Sequence, residues 1–308
     1  MIGAILAGGY GKRLKPLTDE IPKALVPIKE GYTIMDRQLF DFRVMGIEEV
    51  YILSGYLGQK IEERYGDEYM GLKMRYLREE RPMGTLFSLR NLISHVRDDI
   101  VLRNGDTITD MNMKRFLEYA ANSNYQLLMF VVKMKSPYGI VETLGDQVLN
   151  FVEKPFLNHF INAGFYYIKR EALDIFFEDY HGKDLETTVF PRMARRKMVG
   201  AYTEDTLWMG IDSEKDLEQI REEYSNREDM EWGYRKVIFS DGRRTVSEVF
   251  VRTGERASVD DGESILRIIS GLAEVNGKAV HTGDVILEEG KAEITAYEDT
   301  KVEVICTR

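Results

Sequence analysis

One cysteine, Cys306, stands among 308 residues. It excludes an internal disulfide and fits a reducing, cytoplasmic setting. No stretch nears the roughly 20 consecutive apolar residues that span a bilayer, so no membrane partner is expected. The opening MIGAILAGGYGKRL runs apolar first and basic second, the reverse of a secretory leader. Histidine is scarce: there are four, and His95, His159 and His181 show no metal-ligand spacing. Positive charge is in deficit, with 42 Lys and Arg against 52 Asp and Glu, for a net charge of −10. That sign argues against nucleic acid or an anionic membrane as the main partner. An anionic substrate must therefore be drawn in by a local cationic group or a metal. Internal repeats and low-complexity tracts are also missing.

What is present suits two domains and a sizeable core, with 44% apolar residues. Up to about residue 224, apolar runs of strand length alternate with amphipathic helical stretches. Strands are predicted at 2–6, 50–53, 74–77, 100–102 and 127–132, and helices at 34–45, 57–65, 85–96 and 113–121. The rhythm predicts an α/β domain, a Rossmann-like doubly wound, mostly parallel but mixed sheet with helices on both faces. Ligands of such sheets gather at the carboxyl ends of the strands. Three further strands, 139–143, 148–153 and 164–168, read as an inserted β-rich subregion. Helices at 171–177 and 185–195, a strand at 199–202 and a helix at 215–224 complete the first domain, residues 1–225.

The polar stretch 225–231 reads as a linker. Beyond it, residues 232–308 show short apolar runs separated by turn signals at Ser240-Asp241-Gly242, Asp261-Gly262, Asn276-Gly277 and Gly283-Asp284. This pattern predicts a small all-β sandwich or barrel.

Chemistry concentrates after the first predicted strand. Leu6, Ala7, Gly8, Gly9 and Gly11 form a glycine-rich loop whose backbone can approach an anion. A Walker loop fails because Leu6 and Arg13 occupy two of its required positions. The dinucleotide fingerprint fails because Leu14 stands where its third glycine belongs. Lys12, Arg13 and Lys23 gather around the glycines, and Pro16 and Pro22 stiffen the segment.

Residues 6–23, LAGGYGKRLKPLTDEIPK, resemble the signature of the sugar-1-phosphate nucleotidyltransferase family, L-A-G-G-x-G-x-R-L-x-P-L-T followed by P-K. The resemblance implies that Leu6, Ala7, Gly8, Gly9 and Gly11 line a nucleoside triphosphate. It implies that Arg13 holds the β/γ-phosphates and that Lys23 neutralises charge at the reacting α-phosphate. Asn104-Gly105-Asp106 matches the family's strand-end G-D, whose aspartate ligates Mg2+. The usual second metal ligand lies in W-x-D-x-G-T. Here the chain reads Trp208-Met209-Gly210-Ile211-Asp212-Ser213, so Asp212 is the expected second ligand. Asp216 is explained by helix capping with Ser213.

Further segments extend the resemblance to about residue 220. Pro82-Met83-Gly84-Thr85 resembles the P-x-G-T turn that touches the base, which makes Met83, Gly84 and Thr85 nucleotide-binding. Tyr138 and Gly139, Glu153 and Lys154, then Asn162 and Gly164 resemble the wall of the acceptor sugar phosphate. The implied reaction joins a nucleoside triphosphate to a sugar 1-phosphate and releases pyrophosphate. GTP with mannose 1-phosphate is the first expectation, and dTTP or UTP with glucose 1-phosphate the alternative. Gly210 at a ligand position keeps a third reading open, a non-catalytic nucleotide-sugar-binding regulatory protein. Glycines at 233, 254, 271 and 283 resemble a small cupin barrel of the kind that follows some of these transferases. It has only His281, and no bound metal is expected there; a homodimer through this domain or a regulatory pocket is.

Overall fold

The computed structural model describes residues 1–81 and 83–307. Pro82, singled out above in the P-x-G-T turn, lies outside the described residues. The chain divides into two compact units, Met1–Leu217 and Glu218–Arg308.

The first unit is built on an eight-stranded mixed sheet. Its spatial order is Val199–Tyr202, Leu127–Lys135, Phe156–Ile168, Ile100–Asn104, Ile2–Ala7, Glu49–Ser54, Leu72–Arg78 and Glu68–Tyr69. Ile2–Ala7 pairs in parallel with both Ile100–Asn104 and Glu49–Ser54, and the latter in parallel with Leu72–Arg78. Phe156–Ile168 runs antiparallel to both of its neighbours. Side chains alternate across a strand, and the two cores follow from that. Ile5 and Ala7 pack into one with Phe42 and Phe116, while Ile2 and Ala4 pack into the other with Leu89 and Phe176. Helix Ile34–Val44 begins with a capping box, in which Thr33 accepts from the Asp36 N–H and Asp36 accepts from the Thr33 N–H.

Several predicted elements take a different form. Of the three strands expected in an inserted subregion, Ile140–Leu144 and Gln147–Val152 form a separate exposed hairpin. The third belongs to the long strand Phe156–Ile168, whose second half is buried and central to the main sheet. The helix expected at 171–177 is a 3-10 helix, Arg170–Phe177. The helix expected from 185 begins only at Val189. Asp184 O accepts from the Thr187 N–H and from the Thr187 and Thr188 hydroxyls, while the Thr188 N–H donates to Leu185 O, so a turn precedes the helix. Pro191, lacking an N–H, falls within the first helical turn where none is needed.

The second unit is an eight-stranded antiparallel sheet, joined in the order Arg227–Met230, Gly233–Ser240, Arg244–Val251, Thr300–Thr307, Arg256–Ser270, Val285–Ala296, Leu272–Val275 and Lys278–His281. One face carries a core of Val249, Leu266, Ile294 and Val302 with their neighbours. The expected linker 225–231 is not a free connection, because Arg227–Met230 is the edge strand. Its arginine is buried: Arg227 pairs with Asp229 at 2.9 Å and stacks on Tyr224 and Tyr234. The expected turn at Asp261-Gly262 is strand instead, with the register shifting between Asp260 and Glu263. A positive φ at Gly262 accommodates the irregularity without reversing the chain. Among the described residues, no helix is long and apolar enough to cross a membrane.

Candidate active site

Four parallel strands, Ile2–Ala7, Glu49–Ser54, Leu72–Arg78 and Ile100–Asn104, end on one edge of the sheet. Beside their carboxyl ends lies a cavity of about 280 Å³. The first strand and its loop supply Leu6, Ala7, Gly8 and Gly9, and the turn after Ile100–Asn104 supplies Gly105 and Asp106. Gly84, Thr85 and Ser88 come from the start of helix Thr85–His95. Lys23, Ala24, Glu79, Asn104, Asp184 and Glu186 complete the wall. A wider groove of about 700 Å³ around Tyr119, Tyr125 and Lys197 shares none of these residues and lacks the strand-end geometry.

Two glycines are fixed by close approach. The Gly105 N–H donates to Leu6 O at 2.9 Å, and a Cβ at Gly105 would stand 2.7 Å from that oxygen. Gly84 has φ +99°, and its Cβ would lie 2.4 Å from Lys183 O. The loop 183–186 is stitched to the same helix start: the Leu86 N–H donates to Lys183 O at 2.9 Å, and the Leu185 N–H to Thr85 Oγ1 at 2.9 Å.

A cluster of opposite charges stands at the centre. Lys23 Nζ lies 2.8 Å from Asp106 Oδ2 and 2.8 Å from Asp212 Oδ1. Arg13 Nη2 lies 2.8 Å from the same Asp212 oxygen. Lys23 is 14% exposed, whereas the two carboxylates are 38% and 41% exposed and open to a ligand. Four residues from three segments distant in sequence thus converge: Arg13 and Lys23, Asp106, and Asp212.

The backbone explains how Asp212 arrives. Strand Trp208–Gly210 pairs antiparallel with Thr107–Thr109, with Gly210 opposite Thr107. The Ile211 N–H then donates to Asp106 O at 2.9 Å. Asp216 accepts from the Asp212 and Ser213 N–H groups and from Ser213 Oγ, so it caps helix Glu214–Tyr224. Among the described residues, no group of three or more His, Cys, Asp or Glu could hold a metal unaided. Two carboxylates with phosphate oxygens are nonetheless a donor set that magnesium takes. Asp106 and Asp212 fit that arrangement.

Leu6, Ala7, Gly8, Gly9, Lys23, Gly84, Thr85 and Asp106 line the cavity, while Gly11 and Met83 do not. Gly11 O accepts from Thr18 Oγ1 at 2.8 Å, and the Met83 N–H donates to Glu79 Oε2 at 3.0 Å. On the sugar side, Gly164 packs against Asn104, where a Cβ would stand 2.6 Å from Asn104 Nδ2. Asn162 Oδ1 accepts from the Gly164 N–H, and Asn162 Nδ2 donates to Tyr166 OH at 2.7 Å. Burial pushes the Tyr166 phenol well above its ordinary range, so it stays neutral. Tyr138, Gly139, Glu153 and Lys154 are not brought to the cavity wall. They cluster at the base of the exposed hairpin, where Gly139 abuts Phe151 and Lys154 Nζ lies 3.5 Å from Glu153 Oε1.

Sequence reasoning missed Glu79, Ser88, Asp184 and Glu186. Glu79 immediately follows strand Leu72–Arg78, so the strand-end rule offered a signal for it. Asp184 and Glu186 reach the cavity only through the fold, and no local pattern marks them.

The nucleotidyl transferase family matches residues 2–227. The chain is 29% identical over 228 residues to a mannose-1-phosphate guanylyltransferase catalytic subunit beta from Xenopus tropicalis. It is 30% identical over 230 residues to a mannose-1-phosphate guanyltransferase from Yarrowia lipolytica. Each alignment covers 70% of this chain but 62% of the relative's length. Among solved structures, a UDP-glucose pyrophosphorylase complexed with UDP-glucose superposes with a TM-score of 0.58 at 17% identity, covering 73% of this chain and 98% of that one. HddC from Yersinia pseudotuberculosis, complexed with GMP-PN, gives 0.57 at 24% identity, covering 73% and 100%. These two likenesses concern the fold. With the family matching almost three-quarters of its length, from the glycine loop through the Asp212 segment, the chain belongs to the nucleotidyl transferases.

Proposed function

We propose that the first unit joins a nucleoside triphosphate to a sugar 1-phosphate, releasing pyrophosphate, with GTP and mannose 1-phosphate as its substrates. The observation that carries the reading is Lys23 Nζ at 2.8 Å from both Asp106 and Asp212, beside a glycine-rich strand end. Lys23, together with a cation that the two carboxylates could hold, would offset phosphate charge at one point. Asp106 and Asp212 would hold magnesium, which when bound supplies positive charge to the triphosphate. Arg13 takes the β/γ-phosphates and Lys23 the α-phosphate. The acceptor phosphate is ionised near neutral pH, so its oxygen attacks the α-phosphorus without a general base. The new P–O bond forms in line as the bond to the β-phosphate bridging oxygen breaks.

Guanine is supported by Glu79. Its carboxylate lines the cavity and accepts from the Met83 N–H and from Ser88 Oγ, leaving lone pairs for a ligand. Guanine presents two adjacent donors, N1–H and the 2-amino group, which a carboxylate can accept together. Uracil and thymine present one donor between two carbonyls, which a carboxylate repels. The names of the two relatives point the same way.

For the second unit we keep the cupin-like reading and assign it to self-association. Phe239, Val246, Ile305, Ile265 and Leu287 are paired neighbours on successive strands, an apolar row across the sheet. Phe239, Ile265 and Leu287 are exposed. A cytoplasmic home agrees with the single cysteine.

The test is pyrophosphate release with magnesium, four nucleoside triphosphates and mannose or glucose 1-phosphate. GTP with mannose 1-phosphate should be fastest. Fastest release with dTTP or UTP and glucose 1-phosphate would reassign the substrates. Binding without release from any pair would favour the regulatory reading that Gly210 keeps open.

A further inference from the structure

Beneath the Asp106 turn lies a polar network that the proposed chemistry does not use. Helix Ile34–Val44 contributes Arg37, Gln38 and Asp41, all buried, and strand Ile100–Asn104 contributes buried Arg103. Asp41 pairs with both guanidiniums, through Oδ1 to Arg37 and through Oδ2 to Arg103 Nη1 at 2.8 Å. The guanidiniums reach the backbone of strand Thr107–Thr109, which leaves the turn. Arg37 Nη2 donates to Thr109 O at 3.0 Å, and Arg103 Nη2 to Thr107 O at 3.2 Å.

Gln38 sits closest to the point of interest. Its Nε2 donates to Asn104 O at 3.0 Å and to Thr107 O at 2.8 Å, the carbonyls on either side of Gly105 and Asp106. Both neighbours are acceptors, so the nitrogen must face them and the amide orientation is settled by chemistry. Its Oε1 meets no donor among the described residues, so the amide acts on this turn through its nitrogen. One NH2 group therefore clamps both ends of the turn, while Gly105 N–H to Leu6 O and Ile211 N–H to Asp106 O tie it from other sides.

We infer that Gln38 is the positioning residue of Asp106, setting the affinity of the Asp106 carboxylate for a divalent cation without touching that cation. The inference rests on Asp106 being a divalent-cation ligand. Residues that orient metal ligands from behind are worth about 10–100-fold in metal affinity. Gln38→Met keeps the volume and removes the clamp. Gln38→Glu keeps the shape with at most one donor, and serves if the methionine variant does not fold.

The experiment titrates the full chain with Mn2+ by electron paramagnetic resonance, taking as signal the binding that Asp106→Asn removes. Circular dichroism confirms folding of each variant. The expected result is a tenfold or greater weakening of that component in Gln38→Met, with a wild-type spectrum. In pyrophosphate release, a tenfold increase in magnesium should restore Gln38→Met toward wild-type turnover but leave Asp106→Asn inactive, a rescue that general structural damage would not give. Wild-type Mn2+ binding in a folded Gln38 variant, with binding lost in Asp106→Asn, overturns the inference alone. Unchanged Mn2+ binding in Asp106→Asn removes the ligand reading and the inference with it.

Discussion

Arg13 is among the more exposed side chains of the charge cluster, with 73% of its surface open to solvent. An exposed ion pair contributes little to folding, so under the proposed function the guanidinium acts on the ligand rather than on stability. Arg13→Ala should lower turnover by about 10²–10³-fold, the range for removing one electrostatic stabiliser. Its stability should stay within about 0.5 kcal/mol of wild type. Pyrophosphate release and a thermal melt on the same preparation check both statements, and near wild-type turnover would remove Arg13 from the site. Glu79 tests base choice separately. Glu79→Gln replaces a paired acceptor by one acceptor and one donor, so kcat/KM for GTP should fall about tenfold or more, as a loss of about 1–3 kcal/mol implies. The ratio of UTP to GTP turnover should rise. Equal losses with every base would detach Glu79 from recognition. Arg13, Lys23, Asp106 and Asp212 were legible because each sits in a short motif. Glu79 was half-legible from its strand end, while Gln38, Asp184 and Glu186 were not, because their positions beside the turn and the cavity arise from contacts made only on folding.

Among the elements, the turn 104–107 carries the most consequence. Gly105→Ala would force its Cβ to 2.7 Å from Leu6 O unless the turn or the first strand shifts. Overpacking of this kind costs about 1–3 kcal/mol. Because Asp106 rides on the turn, activity should suffer more, about 10²-fold for a displacement near 1 Å. Denaturant unfolding and turnover measured together check the split; a variant losing stability but no activity would show that Asp106 tolerates the movement. The alternating strands and helices of the first unit were readable because their periods differ and their apolar residues face two buried cores. The supposed linker was misread for a physical reason. Hydropathy counts Arg227 and Asp229 as solvent-seeking, whereas here they neutralise each other between aromatic rings in a strand. Asp261-Gly262 was misread because a glycine that accommodates a register shift looks, in one dimension, like one that ends a strand.

At the scale of the whole molecule, the change from mixed periodicity to short strands announced two kinds of architecture, and each unit has its own core. The all-β character of the second was readable from its turn signals, but not the pairing that lines up Phe239, Val246, Ile305, Ile265 and Leu287. Exposed apolar rows of this kind commonly mark association surfaces. Ile265→Asp should convert a dimer to a monomer in sedimentation equilibrium while leaving pyrophosphate release intact. A wild-type chain already monomeric at micromolar concentration would end that assignment.

The cavity wall itself sets a condition on what can enter. Glu79, Asp106, Asp184 and Glu186 surround the space that Lys23 shares, within a chain of net charge −10. Bare polyanions meet a wall of their own sign. Chelation should therefore precede docking, so that uncomplexed GTP is a feeble competitor of its own magnesium salt. With magnesium–GTP held constant, a tenfold excess of unchelated GTP should leave the initial velocity near its starting value, and a proportionate fall would show that the bare nucleotide lodges there equally well.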